Sequence, residues 1–264
     1  IQELARSMAK AAPAASIESG WRSVIGCSYK NSFETARAIT AINRFWAAGA
    51  AKGGALITSS PKAGAIEDAR FKAPRSPLPS ASAMRSTPLV LASAGTNVAA
   101  LQATLEGEIK GLFFYNSNMA AGYSNPAQLA EDFANLDLMV VVDVQMSETA
   151  MLADYVLPEC SYLERRELPE FVGGRVPVVS LRDQVLEVIH PNTRPVDVIF
   201  TQLAEACGVG EYFDFTVEEL AEAQLASVGT SIEEVREAGI VELADPGFAF
   251  GTPTFKTPTE KVPV

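Results

Sequence analysis

Three features of this 264-residue sequence predict an α/β fold: a doubly wound, mainly parallel sheet with helices on both faces, Rossmann-like in plan. Gly111 to Tyr115 and Leu138 to Val142 are unbroken apolar runs rich in β-branched or aromatic residues, as in strands covered on both sides. Between them Pro126 to Phe133 has helical spacing and opens on proline, so strand, helix and strand fit a βαβ unit of about thirty residues. The composition, 48% hydrophobic and 20% charged, suits a chain with a sizeable core.

Each element follows from its own pattern. Residues 1–11 are expected to be helical up to Pro13, and Ala14 to Glu18 to form a short strand ahead of Ser19-Gly20-Trp21-Arg22. Asn31 to Ala48 places Phe33, Ala36, Ile39, Ile42 and Phe45 or Trp46 at helical intervals, an apolar stripe for core packing. Residues 58–96 are proline-rich and aperiodic, an irregular segment that wraps a ligand or a neighbouring domain, or simply joins two domains. Asn97 to Glu106 is helical, Ala153 to Leu157 is a short strand closed by Pro158, and Val176 to Leu181 is another. Arg194 to Gly208 is an amphipathic helix with proline near its start and glycine past its end. Thr216 to Ala226 and Ser231 to Ala238 open on a hydroxyl followed three residues later by Glu219 or Glu234, the capping-box pattern.

Several function classes are disfavoured. A net charge of −11 argues against a nucleic-acid partner, which needs clustered cations. No apolar run reaches the roughly 18 residues of a membrane-spanning helix. Cys27, Cys160 and Cys207 are too scattered for a disulfide framework, a zinc site or an iron–sulfur ligand set. His190 is the sole histidine, and neither a glycine-rich dinucleotide fingerprint nor a nucleophile elbow is present.

The candidate site lies where the strand from Leu138 ends. In open α/β sheets ligands bind beyond the carboxyl ends of the strands. Asp143 stands there, followed by Ser147 and Thr149, and an acid plus helix-start hydroxyls can take the sugar, base and phosphate of a nucleotide. The competing reading has Asp143 capping a turn and Ser147 or Thr149 capping a helix.

The stretch from Leu138 through Ala153-Asp154-Tyr-Val-Leu-Pro158-Glu159-Cys160 to Leu163-Glu164-Arg165 resembles the molybdopterin oxidoreductase (dimethyl-sulfoxide-reductase) family, and within it the thiosulfate, polysulfide and arsenate reductase branch. The resemblance implies a molybdenum bis(molybdopterin guanine dinucleotide) cofactor and two-electron reduction of sulfur or arsenic oxyanions. It places cofactor contacts at Gly20, Trp21 and Arg22, at Asn116 and Asn118, at Asp143, Ser147 and Thr149, and at Asp197 on a helix start. The family's Gly-x-Asn-Pro turn is altered here, with Asn116 for the glycine and Met119 for the proline. Asn tolerates left-handed backbone angles, so the turn is expected to survive.

The resemblance further divides the chain into a cofactor-binding α/β domain over 1–200 and a helical extension over 201–264 that leads toward a C-terminal domain. Both ends read as cut points of a longer subunit, so a 4Fe-4S cluster and the metal-ligating residue are expected elsewhere. Relatives of this branch work in anaerobic respiration on the periplasmic side, with an iron–sulfur electron-transfer subunit and a membrane anchor. The alternative is a nucleotide-binding or interaction module with a Rossmann-like sheet and no redox cofactor. A subunit that has kept the fold and lost the cofactor is a third reading.

Overall fold

The computed structural model describes residues 1–17, 32–46, 51–54, 61–72, 97–123, 125–174 and 176–243. The chain divides into two compact units, one of Ile1–Lys62, Phe171–Val179 and Ile240–Val264, the other of Ala63–Glu170 and Ser180–Gly239. The helices between residues 196 and 238 share the second unit with the central sheet.

In the first unit, α1 (Gln2–Ala11) buries no residue and α2 spans Ser32–Phe45. The expected stripe on α2 is only half-buried at Ala36, Ile39 and Ile42, and Phe45 is 88% exposed. The strand expected from Ala14 is not formed over residues 14–17. Ile17 instead pairs with a side chain: its N–H donates to Asn43 Oδ1 (2.8 Å) and its carbonyl accepts from Asn43 Nδ2 (2.7 Å). A carboxamide presents one donor and one acceptor side by side, as a neighbouring strand would. Three short strands, β4 (Glu170–Val172), β5 (Val178–Ser180) and β6 (Ile240–Glu242), form a sheet in the order β4-β5-β6.

The second unit holds the parallel sheet. Strands β1 (Gly111–Tyr115), β2 (Leu138–Asp143) and β3 (Tyr155–Pro158) lie in the order β1-β2-β3, with Tyr115 beside Val142 and Asp143 beside Pro158. Helix α5 (Pro126–Phe133) crosses from β1 to β2, with the Asn125 side chain accepting from Gln128 N–H at its start. Alternation along β1 sends successive side chains to opposite faces, one buried at Phe114 and the other still partly open at Phe113 and Tyr115. Phe114 meets Phe133 of α5 at 5.3 Å, whereas Phe113 meets Phe200 of α6 (Val196–Ala206) at 5.4 Å on the other side.

The α5 face is the core. Leu101 of α3 (Asn97–Leu105), Phe114, Leu129, Phe133, Met139 and Val141 pack there. Removing a side chain of this kind from water contributes roughly 1.5–3 kcal/mol.

Two further helices, α7 (Val217–Ala226) and α8 (Ile232–Ala238), differ at their starts. Thr216 and Glu219 complete the capping box on α7. On α8 the Ser231 hydroxyl takes Glu234 N–H, but the Glu234 carboxylate turns to the Thr230 hydroxyl at 2.8 Å. A second hydroxyl one residue earlier thus captures the acid. The described part of the proline-rich segment lies along α7, where Gly64 N–H donates to Ser227 Oγ and Phe71 meets Phe215 edge-on. A Cβ on Gly64 would stand 2.7 Å from the Ser227 carbonyl oxygen, so that contact admits only glycine.

Candidate functional site

Parallel strands deliver their following loops to one edge of the sheet, and the residues gathered there come from three of them. After β1, Asn116 adopts φ 47°, and its N–H donates to Val142 O. The left-handed turn expected of this asparagine is formed, and its side chain is exposed. Asn118 then opens the short helix α4 (Met119–Gly122) without capping it.

The cap comes from the β2 loop. Thr149 Oγ1 accepts from Ala120 N–H (3.0 Å) and donates to Asn118 Oδ1 (3.0 Å), while Thr149 N–H donates to the same Oδ1 (3.3 Å). Asn118 Nδ2 completes the bridge by donating to Glu148 Oε2 at 2.7 Å. That bond holds the Glu148 carboxyl below its usual value, and the residue is exposed. The loops after β1 and β2 are thereby fastened by side chains, with Thr149 fully buried beneath them.

Asp143 makes the turn-capping bonds of the competing reading. Its Oδ1 accepts from Val144 N–H (2.7 Å) and Gln145 N–H (3.4 Å), and its Oδ2 accepts from Ser147 Oγ (2.7 Å). Ser147 Oγ in turn accepts from Ala150 N–H, at the start of the 3-10 turn Ala150–Leu152. Asp143 and Ser147 are 8% and 3% exposed. Asp143 and Ser147 bond within their own loop, and Thr149 holds the bridge between loops. Where an oxygen points depends on the loop path, which the chemical types alone do not reveal.

The third loop follows β3. Arg194 pairs with Glu159 in a parallel bridge, which directs the chain to the same edge before α6 begins. Asp197 is exposed in the first turn of α6, at this edge but outside the Asn118–Thr149 bridge. Gly20, Trp21 and Arg22 lie outside the described residues.

The Leu163-Glu164-Arg165 motif proves to be architectural. Glu164 Oε1 accepts from Ile189 N–H (2.7 Å) and Oε2 from Ser161 N–H (2.8 Å), and these bonds hold its carboxyl below the usual range. Arg165 turns the other way, pairing with Glu159 and with Glu167 (2.7 Å) and donating to the Cys160 carbonyl. Burial pushes the Glu159 carboxyl up, against the pull of the Arg165 guanidinium, and burial likewise raises the Tyr115 phenol that donates to Glu159 Oε1.

Comparison with known proteins agrees with this architecture. The sequence model of the family described as molybdopterin oxidoreductase matches residues 16–192. The chain belongs to the molybdopterin oxidoreductase family. It is 38% identical over 123 residues to the thiosulfate reductase molybdopterin-containing subunit PhsA of Salmonella typhimurium, covering 46% of this chain and 16% of that protein. It is 33% identical over 147 residues to the assimilatory nitrate reductase catalytic subunit of Bacillus subtilis, covering 55% of this chain and 19% of that one. Among solved structures, acetylene hydratase from Pelobacter acetylenicus superposes with a TM-score of 0.52 at 28% identity, covering 62% of this chain and 23% of that chain. The chain thus spans less than a quarter of these relatives. Members of the molybdopterin oxidoreductase family are oxidoreductases built around a molybdopterin cofactor. No helix among the described residues is long and apolar enough to cross a membrane.

The donor set at the sheet edge fits the nucleotide end of such a cofactor in part. Asn116 and Asp197 offer exposed polar groups at the strand ends, and the Asn118–Glu148 pair is open on its Glu148 side. The buried Asp143, Ser147 and Thr149 supply the frame. Glu148 was not singled out from sequence, because an exposed glutamate in a polar loop looks solvated; the nearby Asn118 is the only cue that it is held.

Proposed function

We propose that this chain binds and orients one pterin guanine dinucleotide of a molybdenum bis(molybdopterin guanine dinucleotide) cofactor, in a subunit that reduces sulfur or arsenic oxyanions by two electrons. The observation that carries this reading is the turn after β1, a left-handed Asn116 whose exposed carboxamide stands at the carboxyl edge of a parallel sheet. When bound, the metal and its pterins supply the electron and oxygen-atom or sulfur transfer. The chain's own contribution is placement. Asn116 offers both a donor and an acceptor to sugar or phosphate, Asp197 offers an acceptor from α6, and Asp143 with Ser147 holds the β2 loop in shape. Gly20, Trp21 and Arg22 belong to the same proposal on the family resemblance alone.

The resemblance to a thiosulfate reductase subunit supports the sulfur branch. A 4Fe-4S cluster held by residues outside this chain, an iron–sulfur partner subunit, a membrane anchor and a periplasmic location complete the proposal. The names of the relatives, one a molybdopterin-containing subunit and one a catalytic subunit, support a multisubunit setting. The test is to purify the intact subunit, measure its molybdenum and assay guanine nucleotide released by acid. Both are expected, and finding neither overturns the reading. A cofactor-free module is the second reading, favoured by the internal use of Asp143, Ser147 and Thr149.

A further inference from the structure

We infer that the groove between the 3-10 turn Ala69–Phe71 and helices α7 and α8 docks a segment of another polypeptide, an apolar strip flanked by Lys or Arg. The groove has a volume of about 580 Å³ and lies wholly within the second unit. Its walls are fastened to each other. Phe71 packs edge-on against Phe215 at 5.1 Å, and Arg70 reaches both Asp68 (2.9 Å) and Glu219 (3.1 Å). The Gly64–Ser227 bond adds a tie at the end of α7. A groove already formed costs a partner less ordering on binding.

The lining divides by chemistry. Phe71, Ala223, Ala226 and Ile232 give apolar surface, while Asp68, Glu218, Glu219, Glu222 and Glu233 set carboxylates against the one guanidinium of Arg70. Some of this acid has an internal explanation. Glu218, Glu219 and Glu233 stand in first turns, where the helix dipole favours them, and Glu218 also pairs with Arg166. Glu222 has neither explanation. It follows Glu218 by four residues and Glu219 by three, spacings at which like charges destabilise a helix. Its Oε2 accepts Ile232 N–H at 3.1 Å, which holds it at the α7–α8 junction beside the apolar lining. A cation over Glu222 and Glu233 would relieve that repulsion.

The apolar surface decides which cation. Among the described residues no three acids are grouped to hold a metal ion. A free polyamine would leave Phe71 and the alanines in water, whereas their small neighbours Ala223 and Ala226 let an incoming apolar side chain approach α7 closely. Nucleic acid and anionic lipid are repelled by the same carboxylates. A basic, amphipathic polypeptide segment satisfies both surfaces at once: burial supplies affinity, and the charges set register and speed of encounter.

The experiment uses the intact subunit and a fluorescein-labelled peptide of repeated Lys-Leu-Ala-Lys units, with a Glu-for-Lys analogue and spermidine as controls. Saturable binding of the Lys peptide that weakens as salt is added is expected, with no binding of the Glu analogue. Glu222→Gln with Glu233→Gln should weaken binding about tenfold, the effect of two exposed ion pairs. The melting temperature should not change, because both residues are exposed and glutamine keeps an acceptor for Ile232 N–H. Ala226→Phe, which fills the groove and keeps every charge, should weaken binding comparably. Glu131→Gln with Asp137→Asn removes the same charge from exposed positions in and after α5 and should leave binding as it was. Absence of binding by wild type, full binding by either groove variant, or an equal loss in the α5 control overturns the inference. Spermidine that displaces the peptide as well as unlabelled peptide does also overturns it, because charge alone would then suffice. None of these outcomes depends on whether the subunit holds a cofactor.

Discussion

Thr149 shows at the residue scale how much of the sheet edge is held by side chains. Its hydroxyl and N–H make three hydrogen bonds to Asn118 and Ala120 with no exposure to water. Thr149→Val is nearly isosteric but leaves Ala120 N–H unpaired in a buried site. It should cost about 1–3 kcal/mol, read as a lower midpoint in urea unfolding. Asp143→Ala should behave likewise, since three donors lose their acceptor, and its loss of cofactor should track its loss of stability. Asn116 gives a different prediction, because a β-branched side chain is strained at φ 47°. Asn116→Val should therefore destabilise the turn where Asn116→Gly does not, measured by the same unfolding curves.

At the scale of elements, the strands and α5 could be read in advance because buried parallel strands are unbroken apolar runs and a proline marks the helix start. The α2 stripe has the expected periodicity, but Ala36, Ile39, Ile42 and Trp46 along it are only half-buried. The contents of the candidate site were only half readable. Residue types at the end of β2 announce a polar loop, but whether Asp143 faces a ligand or its own backbone is decided by loop geometry. Glu164 ties the turn at Ser161 to the turn at Ile189. Its folded carboxyl lies below the ordinary 4.5 because the charged form accepts Ile189 and Ser161 N–H groups. The stability it provides is fully present above that unfolded value and is lost as the pH falls through the lower folded one. Glu164→Gln should flatten the acid side of the stability curve, with wild type and variant converging as the pH drops well below 4.5.

Across the second unit, α7 and α8 are joined by charge to the segments around Arg166 and Asp183. Asp183 accepts from both Arg166 (3.0 Å) and Arg236 (2.6 Å), and Arg166 reaches Glu218 of α7 at 2.6 Å. These groups are about one third exposed or more, so solvent screens them. An Arg166→Ala, Asp183→Ala double-mutant cycle should give a coupling of about 1 kcal/mol or less, shrinking as salt is added. A coupling that ignores salt would mean the pair is held by packing instead.

Glu164 and Arg165 are neighbours in sequence, yet one grips the 189 turn and the other the carboxylate of Glu159. Sliding that stretch by one position would hand each partner a group of its own charge or of no use. Evolution can therefore lengthen or trim the chain between Arg166 and Asp183 far more freely than between Glu159 and Arg165. Insertions tolerated among homologous enzymes should cluster in the former interval and spare the latter.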